Sequence, residues 1–133
     1  MSRSMSKFQI LVQIIVIGET AMAEDRVKKY FEVWNKHDKE GVGKMFADDG
    51  SLRDWEVEVK GAQNVADANG KIFQSAPGIQ IEVLKIHYSA ATSTASAEIL
   101  VHVNDADKTV LKVVDVIEYN DAGLISSLRA YKG

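Results

Sequence analysis

Between Ile79 and Tyr131 apolar and polar residues alternate in four short runs, Ile79 to Tyr88, Ala95 to Val103, Val110 to Asn120 and Leu124 to Tyr131. Period-two alternation of this length predicts β-strands with one face buried and one exposed. Two of the connections, "NDAD" and "NDAG", carry the Asn, Asp and Gly of hairpin turns. An antiparallel meander follows, and its apolar face must be covered by whatever precedes it. One residue breaks the pattern. On the third strand Leu111, Val113, Asp115, Ile117 and Tyr119 share a face, and that face is otherwise apolar. A lone carboxylate there is costly as an ion. Asp115 is therefore partnered, protonated or in use.

The cover is legible upstream. Val27, Tyr30, Phe31 and Trp34 fall at i, i+3, i+4 and i+7, the stripe of a helix that Glu24 and Asp25 begin. Asp38 reads as the N-cap of a short second helix carrying Val42, Met45 and Phe46 inward, weakened by Gly41 and Gly43. An extended segment, Leu52 to Val59, leads to a third helix from Gly61 to Ser75 with Val65, Ala68 and Ile72 on one side, stopped by Pro77-Gly78. Helices first and a meander afterwards predict an α+β fold. With 133 residues and 46% hydrophobic content the chain has the size of one domain, expected over 24–133.

Residues 1–23 stand apart as an N-terminal apolar extension. Arg3 and Lys7 precede an apolar run from Phe8 to Gly18, and Ala21-Met22-Ala23 stands before Glu24. That is the outline of a secretory signal, weakened by Gln9, Gln13 and Glu19. Two other readings are an apolar arm that packs on a partner and a reading frame whose true start is Met5 or Met22. The cytoplasm is favoured, with the periplasm or secretion if the segment is cleaved. The run is well short of the roughly 20 residues of a membrane-spanning helix.

Composition excludes several functions. A net charge of −3, with both signs mixed, offers no footprint for nucleic acid or an anionic membrane. There is no cysteine for a disulfide, thiolate metal site or nucleophile. A metal would rest on His37, His87 and His102, which lack ligand spacing, and His37 and His87 read as solvated. "GVGKM" lacks the spacing of a phosphate loop, and "NDADKTVLKVVD" lacks the glycine and terminal glutamate of a calcium loop. Neither metal nor organic cofactor is expected.

Two strings, "YFEVWNKHDKEGVGKMFADDGSLRD" and "VVDVIEYNDAGLISSLRAY", resemble the ketosteroid isomerase branch of the NTF2-like (SnoaL-like) superfamily, over roughly residues 24–132. The resemblance implies an α+β cone, three N-terminal helices packed on a curved, mainly antiparallel sheet enclosing a cavity. It also implies a cofactor-independent isomerase or lyase that abstracts a proton α to a carbonyl of a small hydrophobic compound. Carried over by position, the oxyanion-hole tyrosine falls on Tyr30, the general base on Asp54, and the protonated aspartic acid that donates to the oxyanion on Asp115. Trp34, Phe46, Trp55, Leu100, His102 and Leu128 are the expected substrate-binding residues.

The chain departs from the family at the pocket mouth. Trp55 follows Asp54 where proline is common, "WEVEVKG" makes a shorter loop, and Lys132 stands where a pocket aromatic does. Glu98 and His102 replace pocket phenylalanines, which predicts a more polar pocket if they face inward. Their direction depends on the loop between the second and third strands of the meander. A two-residue turn at Asp105-Ala106, as in the family hairpin, puts Ser96, Glu98, Leu100 and His102 beside Asp115 and leaves the apolar alternate face for a homodimer through the sheet. An odd loop exchanges the faces. The two-residue turn is the expectation. Other readings stay open. The same scaffold serves as a non-catalytic ligand-binding or dimerisation module, or as an epoxide hydrolase or dehydratase in which Asp54 or His102 activates water or removes a proton.

Overall fold

The computed structural model describes residues 4–133. Helix α1 spans Lys7–Asn35 and opens at Ser6, whose hydroxyl accepts from Gln9 N while Gln9 reaches back to Ser6 N, a reciprocal capping box. It starts well before Glu24, where the stripe alone placed it. No proline interrupts the segment, and extending a nucleated helix costs little. Ala23 is its first buried residue, while Phe8, Ile14 and Ile17 are 73%, 60% and 67% exposed. From Lys7 onward the apolar extension is thus helix, continuous with the stripe that follows it. No helix among the described residues is long and apolar enough to cross a membrane. The stripe of Val27, Tyr30, Phe31 and Trp34 is buried as the periodicity predicts.

Asp38 caps α2 (Lys39–Lys44) by accepting from Gly41 N at 3.0 Å. Gly43 answers to packing as much as to propensity, since a Cβ there would meet Ala66 Cβ at 2.9 Å where α2 crosses α3. Helix α3 (Ala62–Ser75) buries Val65, Ala66, Asn69 and Phe73. Ala68 and Ile72 sit at the half-buried edge of that face. A stripe read from apolar residues alone is displaced, because one buried position is an asparagine.

The sheet comprises β1 (Phe46–Arg53), β2 (Glu58–Lys60), β3 (Gln80–Ser89), β4 (Thr94–His102), β5 (Val110–Tyr119) and β6 (Ile125–Lys132). Its order is β2-β1-β6-β5-β4-β3, antiparallel throughout except for β1 beside β6. The expected extended segment is two strands that turn at Asp54, whose N–H donates to Val57 O at 2.8 Å. Helices on a curved, unclosed, mainly antiparallel sheet make the α+β cone that the resemblance implies. Val27, Phe31, Val42, Val65, Ile117 and Ile125 are its fully buried centre, each contributing about 1.5–3 kcal/mol by leaving water.

The β4–β5 register corrects one expectation. Asp115 lies opposite Ala97, Val113 opposite Ile99 and Leu111 opposite Val101. The connection is not a two-residue turn. Val103 N donates to Thr109 O, and the residues between them turn with Asn104 and Lys108 both in the left-handed region at φ 55° and 53°. The Asp105 carboxylate fixes this odd loop by accepting from Thr109 N at 2.8 Å and Thr109 Oγ1 at 2.7 Å. Ala97, Ile99 and Val101 therefore face inward and are buried, and Glu98, Leu100 and His102 lie on the outer face.

Candidate active site

The concave side of the sheet and the helices enclose a cavity of about 310 Å³. Its walls are mostly aliphatic, with Ile79 just before β3, Ile81 from β3, Ile99 and Val101 from β4, Leu111 and Val113 from β5, and Leu128 from β6. Tyr30, Asp54 and Asp115 all line it, so the three positions marked by the resemblance meet in one space.

Asp115 is 6% exposed and stands between Ala97 of β4 and Ala130 of β6, whose small side chains leave room beside its carboxyl. Burial first, and then the charge of Asp54, raise it from 3.8 to about 7. Tyr30, on the inner stripe of α1, is held edge-on by Phe31 at 5.1 Å and Phe46 at 6.3 Å. Burial, the nearby Asp115 and Tyr119 push its hydroxyl well above the ordinary tyrosine value. No hydrogen bond among the described residues ties the Tyr30 hydroxyl or the Asp115 carboxyl. Among the described residues the one buried side-chain polar atom sealed off without a partner is Tyr119 Oη, so these two groups open on the cavity.

Asp54 follows β1 and is half-buried. Its Oδ1 accepts from Glu56 N at 2.7 Å and Val57 N at 2.6 Å, which fixes the carboxylate while Oδ2 takes no hydrogen bond among the described residues. Arg53, one residue earlier, points the other way and donates to Tyr131 Oη at 2.9 Å. Trp55 lines the mouth at 41% exposure, with Lys132 Nζ 5.2 Å from the centre of its ring.

Of the other expected pocket residues, Trp34 and Leu128 line the cavity. Phe46 does not; it is 2% exposed and packs behind Tyr30 in the core. Leu100 and His102 are excluded by the odd loop, which turns both outward. His102 Nε2 instead meets Glu82 Oε1 at 2.9 Å, and Glu98 meets His87 at 2.7 Å, both on the outer face. The inner wall is accordingly less polar than expected from Glu98 and His102 standing in place of the family's pocket phenylalanines. His37 is not simply solvated, since its ring stacks on Phe73 at 4.4 Å and its Nε2 lies 2.7 Å from Ile79 O. Among the described residues, no group of three or more His, Asp or Glu could hold a metal ion.

Asn69 is a buried polar lining residue that sequence reasoning missed. It is 3% exposed, and its Oδ1 accepts from Trp34 Nε1 at 2.8 Å. The signal was present in the i, i+4, i+8 spacing of Val65, Asn69 and Phe73, which puts the asparagine on the buried stripe of α3.

A helix-covered cone around an apolar cavity with a few convergent polar groups is the NTF2-like architecture. The chain belongs to the SnoaL-like domain family, whose model matches residues 27–128. A comparison with the curated proteins finds no match. Among solved structures, a protein of unknown function with a cystatin-like fold from Methylobium petroleophilum superposes with a TM-score of 0.75 at 19% identity, over 85% of this chain and 76% of that one. An epoxide hydrolase/cyclase-like enzyme of pyran ring formation in the polyether salinomycin gives 0.70 at 18% identity, over 86% and 92%. A protein with a ketosteroid isomerase-like fold from Catenulispora acidiphila, in complex with trimethylamine, gives 0.71 at 14% identity, over 80% and 83%. At such identities the likeness is one of fold.

Proposed function

We propose that the chain is a cofactor-independent enzyme of the ketosteroid isomerase type, which removes a proton α to the carbonyl of a small hydrophobic compound and returns it elsewhere. The observation that carries this reading is the pairing of two unpartnered polar groups, Tyr30 and Asp115, with a tethered carboxylate, Asp54, in one apolar cavity. Asp54 Oδ2 takes the proton from carbon, and the C–H electron pair moves into the carbonyl to leave an enolate. Tyr30 and protonated Asp115 donate to the enolate oxygen. The same proton then returns to the γ carbon of a conjugated enolate, which restores the Asp54 carboxylate. Each donor to the developing charge is worth about 2.7–4 kcal/mol of barrier. The aliphatic walls favour a hydrophobic body and raise the strength of both donors by excluding water.

The test is turnover of small β,γ-unsaturated ketones, read by the absorbance of the conjugated product. Asp54→Asn is expected to lose about 10²–10⁴-fold, the range of general base catalysis. Unchanged turnover in that variant removes Asp54 from the mechanism.

The fold shared with an epoxide hydrolase/cyclase-like enzyme supports a second reading. The same acid and carboxylate would then protonate an epoxide oxygen from Asp115 while Asp54 deprotonates the attacking water or hydroxyl. His102 has no part in it, being on the outer face. A homodimer through that outer face belongs to the proposal. Val110 and Tyr131 are each 48% exposed on that face, and Leu84, at the register shift of β3, is 54% exposed.

A further inference from the structure

We infer that Asn69 is a second polar contact for the substrate, so that the compound bound carries a hydrogen-bond acceptor at the end remote from its reacting carbonyl. The inference rests on the reading of the cavity given above. It starts from an orientation that chemistry fixes. An indole N–H can only donate, so the Asn69 atom 2.8 Å from Trp34 Nε1 is the carbonyl oxygen. The amide nitrogen then faces the other way and donates one hydrogen to Val65 O at 2.9 Å. A primary amide has two N–H donors, and the second has no acceptor among the described residues. Asn69 is 3% exposed and borders the cavity, so little bulk water reaches that donor. A buried donor without a partner costs about 1–3 kcal/mol, which a ligand acceptor would recover.

Position gives the ligand its shape. Trp34 lies four residues beyond Tyr30 on α1, a rise of about 6 Å. The Asn35 side chain, next to Trp34, bonds both Ile81 N and Ile81 O, and Ile81 lies level with Val101 and Leu111 across the sheet. Leu111 is four residues from Asp115, about 13 Å along the strand. The Trp34–Asn69 pair therefore stands at one end of the cavity and the Tyr30–Asp115 pair well towards the other, with Ile99 and Val113 between them. The fit is an elongated apolar body with a hydrogen-bond acceptor at each end, its reacting carbonyl towards Tyr30 and Asp115 and its second acceptor towards Asn69.

The test compares 2-naphthol, a phenol that mimics the enolate, with 6-acetyl-2-naphthol, which adds a carbonyl at the far end. Calorimetric affinities are measured on the full chain, on Tyr30→Phe and on Asn69→Leu. Trp34→Phe/Asn69→Leu is included because it removes both buried partners and so spares the fold the cost of an orphaned indole N–H. The wild type is expected to bind the acetyl probe about tenfold more tightly, the worth of one good hydrogen bond. Both Asn69 variants reduce that preference to less than about twofold, and Tyr30→Phe weakens both probes alike. A preference that survives both Asn69 variants overturns the inference, as does its absence from the wild type. The proposed function still stands in either case if Tyr30→Phe weakens both probes. If neither probe binds, or Tyr30→Phe leaves both affinities unchanged, the cavity reading fails and the inference with it.

Discussion

Burial lets Asp115 in the folded chain keep its proton to a higher pH than an ordinary carboxyl would. Its folded value of about 7 lies above the ordinary 3.8, chiefly through burial. Between those values an unfolded chain has released a proton that the folded chain still binds, so stability falls as pH rises through that window and levels off above it. Linkage sets an upper bound of about 4 kcal/mol on the loss. Asp115→Asn keeps a donor and removes the titration. Urea denaturation should find that variant equal to wild type near pH 4 and more stable near pH 8, and turnover should lose its alkaline limb. A wild type whose stability is flat across the window would show that the carboxyl is not held in this way. The sequence disclosed the oddity of Asp115, because alternation alone puts it on an apolar face. It did not disclose Asn69, since a periodicity search keyed to apolar residues skips a buried amide.

Elements were legible where local chemistry decided them and not where a loop's parity did. Asp38 announced its cap, and the stripe from Val27 to Trp34 announced its face. The β4–β5 connection could not be read from composition. "NDAD" suits a two-residue turn as well as the loop that forms, and the choice depends on the Asp105–Thr109 contacts and two left-handed residues. That parity moved Leu100 and His102 out of the cavity and Ile99 and Val101 into it. The start of α1 was obscured for another reason. An apolar run predicts burial, and residues 7–22 form helix while contributing no buried side chain. Because Ala23 is the first buried residue, a chain beginning at Met22 should fold with an unchanged thermal midpoint and with its cavity intact. A large drop in the midpoint of that truncated chain would assign the arm to the core, against a domain of 24–133.

For the whole molecule, one sheet offers two faces with different work. The concave face, under the helices, holds the cavity, and the outer face carries the His–Glu pairs among half-buried Leu100, Val114 and Val116. Val114→Glu tests the proposed homodimer, because a charge in the middle of that face should shift the chain to a monomer in sedimentation without altering turnover per chain. A wild type that sediments as a monomer ends that part of the account. The cavity itself draws on α1, α3 and every strand but β2, with Tyr30 from α1, Asp54 after β1, and Asp115 on β5 between two alanines. What the account asks of that assembly is a protonated acid near neutral pH, raised by burial and by the charge of Asp54. Carboxyl ¹³C NMR of Asp115 measures this directly. The predicted result is a midpoint of about 7 that falls in Asp54→Asn; a midpoint at the ordinary 3.8, indifferent to Asp54, would contradict it.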